Sequence, residues 1–359
     1  MNIVFLAPAN NYHTKKWCSW FYEHGHKVTV ISLVPPDEEI VGVDIIFLNP
    51  GCDSQNSDLR KLKYLTQIFK VRSIIETINP DIVNAHYASS YGALAAFAGI
   101  SGFILSIWGE DVYDFPKKSV FHKLFLKYVF YKAKRIFSTS KAMAIEAEKY
   151  TKKPLVITPF GVDLNLFSPG LRTRNDNDFV IGTIKTLSPK YGIGILLEAV
   201  ALVRKKRSDI PLKVRIAGKG SHEMEYRQLA ESLEINDCIS WLGFISQKEA
   251  AVEWANFDCA IIPSESESES FGVSAVEAQA CECPVIISDI PGLMEATDPG
   301  NTSFVVRRGN VDALAKKIIE VYMDIPKRKK MGKNGRLFVE KNYEINKCFR
   351  KIEREMNVI

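Results

Sequence analysis

The chain has 359 residues, 46% hydrophobic and 25% charged, with a formal net charge of +5. That length supports two domains, because single cores stop growing near about 250 to 300 residues, and that composition excludes a disordered or fibrous protein. No apolar run reaches the roughly 20 residues a spanning helix needs, and residues 2–7 read straight into a strand without a basic region before them, so neither a membrane span nor a signal peptide is expected.

From the N-terminus, short apolar runs alternate with amphipathic stretches, the pattern of a doubly wound parallel α/β sheet. Strands are predicted at 3–7, 27–33, 44–48, 81–85, 103–108 and 135–139, and a long helix at 58–78 that stops before Asn79-Pro80. Between residues 115 and 135 stand Lys117, Lys118, Lys123, Lys127, Lys132, Lys134 and Arg135 with no acid, interleaved with aromatic and aliphatic residues. This reads either as a basic amphipathic helix suited to an anionic lipid surface or as a core helix with a solvated basic face.

The polar stretch 168–178 has no apolar periodicity and reads as an interdomain linker; Asp176-Asn177-Asp178 within it imitates a metal motif by chance. The alternation then restarts, with strands at 179–184, 212–217, 239–242, 258–262, 285–288 and 303–306, and a last helix at 343–356. Two such halves predict a cleft between them, where ligands favour binding. The cysteines, Cys18, Cys52, Cys238, Cys259, Cys281, Cys283 and Cys348, are odd in number and mostly sit in apolar patterns, as in a reduced cytoplasmic protein. Neither they nor the histidines have the spacing of a zinc site.

The segment 263–277, PSESESESFGVSAVE, sets Glu269 on a loop after a strand and Glu277 one to two turns into a helix opening near Gly272. A helix N-terminus offers unpaired N–H groups to a phosphate, and a carboxylate in the next turns can hold a cis-diol. Taken alone the two acids could equally serve the helix dipole. Lys185 and Lys190, in IGTIKTLSPKYGI, stand at a strand's carboxyl end, where open α/β sheets bind ligands, and a diphosphate would suit two cations. There is no glycine-rich dinucleotide fingerprint after the first strand and no Walker sequence.

Lys185 and Lys190 followed by Glu269-x7-Glu277 with FGVSAVEA resemble the family-four retaining glycosyltransferases (group 1) of the GT-B fold. The likeness runs along nearly the whole chain, through IVFLAPANNYHT, GHKVTVIS, DIVNAHYASSYG, STSKAM, TPFGVDLNLFSP, RIAGKG and PVIISD before Gly292. The resemblance implies two Rossmann-like domains facing a central cleft: 1–168 on the acceptor side, 169–342 on the nucleotide-sugar side, and 343–359 crossing back to the first. It implies Glu269, Lys185 and Lys190 in catalysis, with His86 and Asp111 at the cleft as further catalytic candidates, Asp111 toward acceptor or donor hydroxyls. Glu277, Gly218, Gly243, Phe244, Phe271, Gly272, Val273 and His13 would contact the nucleotide sugar.

The chain departs from the family's pattern at the glycine-poor first loop, at Trp108 where many relatives carry histidine, and at Glu282 where glycine is usual. The expected function is transfer of a hexose unit from a nucleoside diphosphate sugar, a UDP-sugar, to a glycan or lipid-linked acceptor. It would proceed with retained configuration and without metal or cofactor, in cell-surface polysaccharide or glycoconjugate synthesis. The protein would be cytoplasmic, peripheral on the inner face of an anionic membrane, and would bind no nucleic acid. The alternatives are a sugar-nucleotide epimerase of GT-B-like fold and a non-catalytic sugar-nucleotide binding module.

Overall fold

The computed structural model describes residues 1–51, 62–174 and 177–358. The chain divides into two compact units, Met1–Phe160 with Phe349–Ile359, and Gly161–Cys348. The first holds seven parallel strands, β1 (Asn2–Leu6), β2 (Lys27–Ser32), β3 (Val43–Phe47), β4 (Ile82–His86), β5 (Ile104–Ile107), β6 (Arg135–Ser138) and β7 (Leu155–Ile157), ordered β3-β2-β1-β4-β5-β6-β7. The reversal of winding falls between β1 and β4, a topological switch point of the kind that places ligands at strand carboxyl ends.

Both faces of this sheet are covered, which is why its strands read as continuous apolar runs. Val4, Leu6, Val83 and Leu105 join a core with residues of the helices Ile68–Ile78, Ala93–Phe97 and Val120–Lys132. Phe5 points the other way, against Trp17 at 6.0 Å and Phe21 at 5.7 Å, both on the helix Tyr12–Glu23. That second face is closed by the final helix, Ile345–Asn357. Its fully buried Phe349 meets Trp17 at 5.5 Å and Trp20 at 5.4 Å. Glu353 pairs with His26 at 2.9 Å and Glu355 with Arg135 at 3.0 Å.

The second unit holds six parallel strands, β8 (Phe179–Ile184), β9 (Leu212–Ala217), β10 (Ile239–Gly243), β11 (Cys259–Ile262), β12 (Val285–Ser288) and β13 (Ser303–Val306), ordered β10-β9-β8-β11-β12-β13. Winding reverses between β8 and β11, so the loops after those two strands are neighbours.

Three features differ from the sequence reading. The three-residue strand β7, half-buried throughout, was not expected. The junction falls at Phe160 and Gly161, and the return at Cys348 and Phe349, instead of after 168 and 342. The described part of 168–178 is a strap bound to the second unit: Arg172 and Arg174 reach Asp258 at 2.9 and 3.3 Å, and Asn256 accepts from the Thr173 and Arg174 backbone N–H groups, each at 3.0 Å. Cys52, Asp176 and residues 58–61 of the predicted long helix lie outside the described residues. A 3-10 turn, Leu62–Gln67, precedes the helix Ile68–Ile78, which ends at Asn79 with φ 46°, one residue before the proline. The other six cysteines are free and buried.

Candidate functional site

In the second unit the structure brings together most of the residues singled out in the sequence. Lys185 directly follows β8, and its Nζ lies 2.8 Å from Oε2 of Glu269, an ion pair in which each side chain is only about a tenth exposed. Ser264 Oγ donates to the same carboxylate oxygen at 3.4 Å. The Nζ atoms of Lys185 and Lys190 each lie 4.9 Å from the Tyr191 ring centroid, so one aromatic ring gathers both cations.

Close backbone approaches fix this corner. Gly192 has φ 67°, and a Cβ there would lie 1.9 Å from the Pro263 carbonyl oxygen, so only glycine lets the Lys190 turn meet the loop after β11. The Lys190 carbonyl accepts from the backbone of Glu265 at 2.8 Å, anchoring that loop. Gly218 has φ 135°, and a Cβ there would meet the Lys185 carbonyl oxygen at 1.8 Å. Its N–H donates to Gly243 O at 2.7 Å, which aligns the ends of β8, β9 and β10.

The helix Val273–Ala280 starts here with Gly272 as its N-cap. Ser274 Oγ donates to Ile184 O at 3.1 Å, holding the first turn against the end of β8 beside Lys185. The first N–H groups of this helix have no intrahelical acceptor and carry its positive dipole end. Glu277 is buried on the same helix and accepts from Trp254 Nε1 at 3.4 Å. Phe244 beyond the Gly243 turn is 76% exposed, whereas Phe271 is buried edge-on against Tyr343 at 5.2 Å and offers no surface to a ligand. Among the described residues no three His, Cys, Asp or Glu side chains gather to hold a metal ion, and no helix is long and apolar enough to cross a membrane.

The candidates in the first unit are placed differently from expectation. His86 is fully buried among Phe5, Trp17 and Trp108, with ring centroids at 5.6, 5.0 and 4.4 Å, and both ring nitrogens lack a partner. It is a packed histidine. Asp111 is buried as well, its carboxylate taken by the backbone N–H groups of Ala88, Gly109 and Trp108 at 2.8, 2.9 and 3.2 Å. It shapes two loops and also stands in the wall of a cavity within the first unit. His13 is half-buried and stacks on Phe160 at 4.0 Å, beside Trp108, with its pKa held well below the usual value by burial.

Burial also lowers His86, to a pKa of about 3 from 6.5. The unfolded chain takes up a proton there below about pH 6.5 while the folded one does not, so stability falls as pH drops from 6.5 toward 3. His86→Phe is expected to flatten that slope, by on the order of a few kcal/mol near pH 4. Urea melts at neutral pH and at pH 4 measure it, and an unchanged pH slope would contradict a neutral buried imidazole.

Sequence reasoning missed Tyr191, Ser264 and Trp254. Only Tyr191 carried a local signal, as the residue between Lys190 and the turn glycine. Glu282, flagged where glycine is usual, adopts φ 57°, the left-handed region that glycine occupies at least cost.

Residues 171–338 match the family of glycosyl transferases group 1, and residues 2–140 the family glycosyl transferase 4-like. The chain belongs to the group 1 glycosyltransferases. An uncharacterized glycosyltransferase of Methanocaldococcus jannaschii is 27% identical over 308 residues, 83% of this chain and 82% of that protein. The D-inositol 3-phosphate glycosyltransferase of Pseudarthrobacter chlorophenolicus is 34% identical over 186 residues, 49% of this chain but only 44% of that relative. Among solved GT-B structures, Anabaena HepE in complex with UDP-glucose superposes with a TM-score of 0.80 at 18% identity, all of each chain being covered. The two parallel-sheet units of this glycosyltransferase are therefore the paired Rossmann-like halves of the GT-B fold.

Proposed function

We propose that this glycosyltransferase is a retaining, metal-independent hexosyltransferase. It moves a hexose unit from a UDP-sugar to a glycan or lipid-linked acceptor, in cell-surface polysaccharide or glycoconjugate synthesis at the cytoplasmic face of the membrane. The observation that carries this reading is the convergence of Lys185, Lys190 and Glu269 around Tyr191, beside the first turn of the Val273–Ala280 helix. The UDP-glucose complex of a protein with the same fold supports the choice of donor.

In this reading the diphosphate lies against the two ammonium groups and the helix N-terminus. As the anomeric C–O bond lengthens, negative charge accumulates on the leaving phosphate, and these groups stabilise it more strongly than they do the ground state. The lysines supply the charge balance that a divalent cation gives elsewhere. Glu269, held by Lys185 and Ser264, faces the donor sugar and supports the positive charge growing on its ring. Glu277, fixed by Trp254, holds the ribose hydroxyls. The acceptor attacks from the face the phosphate leaves, which keeps the anomeric configuration.

A thermal-shift screen of nucleotide sugars tests the donor class: a donor at a hundred times its dissociation constant adds about 2.7 kcal/mol. No stabilisation by any UDP-, GDP- or ADP-sugar would sink the reading. Glu277→Ala should mainly weaken nucleotide binding and Glu269→Ala mainly slow the chemical step. Calorimetric titration with UDP separates them, since unchanged affinity in the Glu277 variant removes its ribose role.

The membrane side of the proposal rests on the Val120–Lys132 helix and its flanking lysines. Lys123→Gln, Lys127→Gln and Lys132→Gln together are expected to weaken co-sedimentation with phosphatidylglycerol vesicles, each lysine near an anionic surface contributing about 1 kcal/mol at low salt. Absence of vesicle binding at low salt would remove membrane contact from the assignment.

A further inference from the structure

Tyr191 is half-exposed, and among the described residues its ring lies outside the apolar core that Ile181, Ile193 and Leu196 build in the second unit. Core packing therefore does not account for an aromatic residue at this place. Its backbone is fixed from both sides. Pro189–Tyr191 form a 3-10 turn, in which the Tyr191 N–H donates to Ser188 O at 3.1 Å and the Gly192 N–H to Pro189 O at 3.0 Å. The Lys190 carbonyl accepts from the N–H groups of Glu265 and Ser266 at 2.8 and 3.3 Å, which ties the turn to the loop after β11. The ring thus projects from a rigid turn, whereas each lysine ammonium rides on a flexible four-carbon stem.

Two ammonium groups gathered in one corner repel each other, the more so where little water screens them. Lys185 is steadied by Glu269 at 2.8 Å. The Tyr191 ring acts on both lysines at once: each Nζ lies 4.9 Å from its centroid, inside the roughly 6 Å over which the ring quadrupole attracts a cation. The two charges can therefore stand no further apart than twice that distance. A pair of cations held near one another matches two linked phosphates, each of which brings its own acceptor oxygens. A single phosphate is served by either lysine alone. Fixing both cations before the ligand arrives removes part of the cost of ordering two mobile side chains on binding.

We infer that Tyr191 is the positioning residue that makes this corner select a nucleoside diphosphate over a nucleoside monophosphate, by holding Lys190 beside Lys185. The inference rests on the transferase reading above and deepens it, since the lysines meet the phosphates and Tyr191 acts only through them.

Calorimetric titration of the full chain with UDP and with UMP tests it. The parent is expected to bind UDP at least about tenfold more tightly than UMP. Tyr191→Leu should weaken UDP binding about tenfold and leave UMP binding nearly unchanged, the weight of cation–π attraction lost from a partly desolvated site. Tyr191→Phe keeps the ring and should keep the parent's ratio. Replacement of Tyr191 by pentafluorophenylalanine, whose ring has nearly the same shape but has lost the negative charge of its face, should lower the ratio as leucine does. That variant decides the matter if the leucine variant folds poorly. A ratio equal in the parent and the fluorinated variant overturns the inference, as does a parent that binds both nucleotides equally well. A phenylalanine variant as weak for UDP as the leucine one overturns it too. A parent with no affinity for UDP refutes the UDP-donor reading itself and the inference with it, so the two failures are told apart.

Discussion

Lys185→Ala is expected to lower turnover by about 10²- to 10³-fold, the range for removing one group that stabilises transition-state charge. Two effects add in this variant. On the mechanism proposed above, the leaving diphosphate loses the cation nearest the end of β8; Glu269, only about a tenth exposed, loses its partner at 2.8 Å. A carboxylate left without its ion pair in so dry a position is costly, so its orientation toward the donor sugar is lost as well. Lys190→Ala removes the second cation while both partners of the Lys185–Glu269 ion pair remain, and the difference between the two variants measures how much that pair matters. Single-turnover kinetics with the cognate donor gives both values. Normal turnover in both variants would dismiss the diphosphate assignment.

The second large effect is on stability. Phe349→Ala is expected to cost about 3 to 5 kcal/mol, as for other fully buried aromatic side chains truncated to alanine. Its ring fills the space between Trp17, Trp20 and Phe21, and the cavity cannot collapse because those side chains are held by β1 and by each other. For a unit of this size the loss corresponds to a fall in Tm of roughly 10 °C. The nearby contacts of His26 with Glu353 and of Arg135 with Glu355 are partly exposed and compensate little. A melting temperature within about 2 °C of the parent would mean that the final helix does not hold the first unit together.

Much of the fold was legible because buried parallel strands declare themselves as uninterrupted apolar runs, and β8, β9, β12 and β13 begin and end where the residues change character. Strand β7 was not legible: three half-buried residues give neither an apolar run nor an alternation. The junction was misplaced for a different reason. Arg172, Thr173 and Arg174 look like linker composition, but their polar groups are spent on Asp258 and Asn256, partners more than eighty positions away that no local pattern announces. At the site, Lys185 and Glu269 could be singled out as charges at strand ends, and the structure pairs them. His86 and Asp111 were also at strand and loop ends, yet one is enclosed by aromatic rings and the other is consumed by backbone donors. Position along the chain locates a residue near the ligand-binding edge of a sheet; which way its side chain is spent is decided by tertiary packing.

The discontinuity of the first unit sets an order on its biogenesis. Residues 1–160 leave the ribosome first, but Phe349 arrives only after the whole of 161–348 has been made. At a synthesis rate of about 5 to 20 residues per second, the Trp17, Trp20 and Phe21 surface waits on the order of ten seconds or more without its cover. The second unit, being continuous, can complete itself sooner than the one that began first. Nascent chains stalled before residue 349 should therefore recruit chaperones through that aromatic surface, and the final helix acts as the clasp that ends their hold.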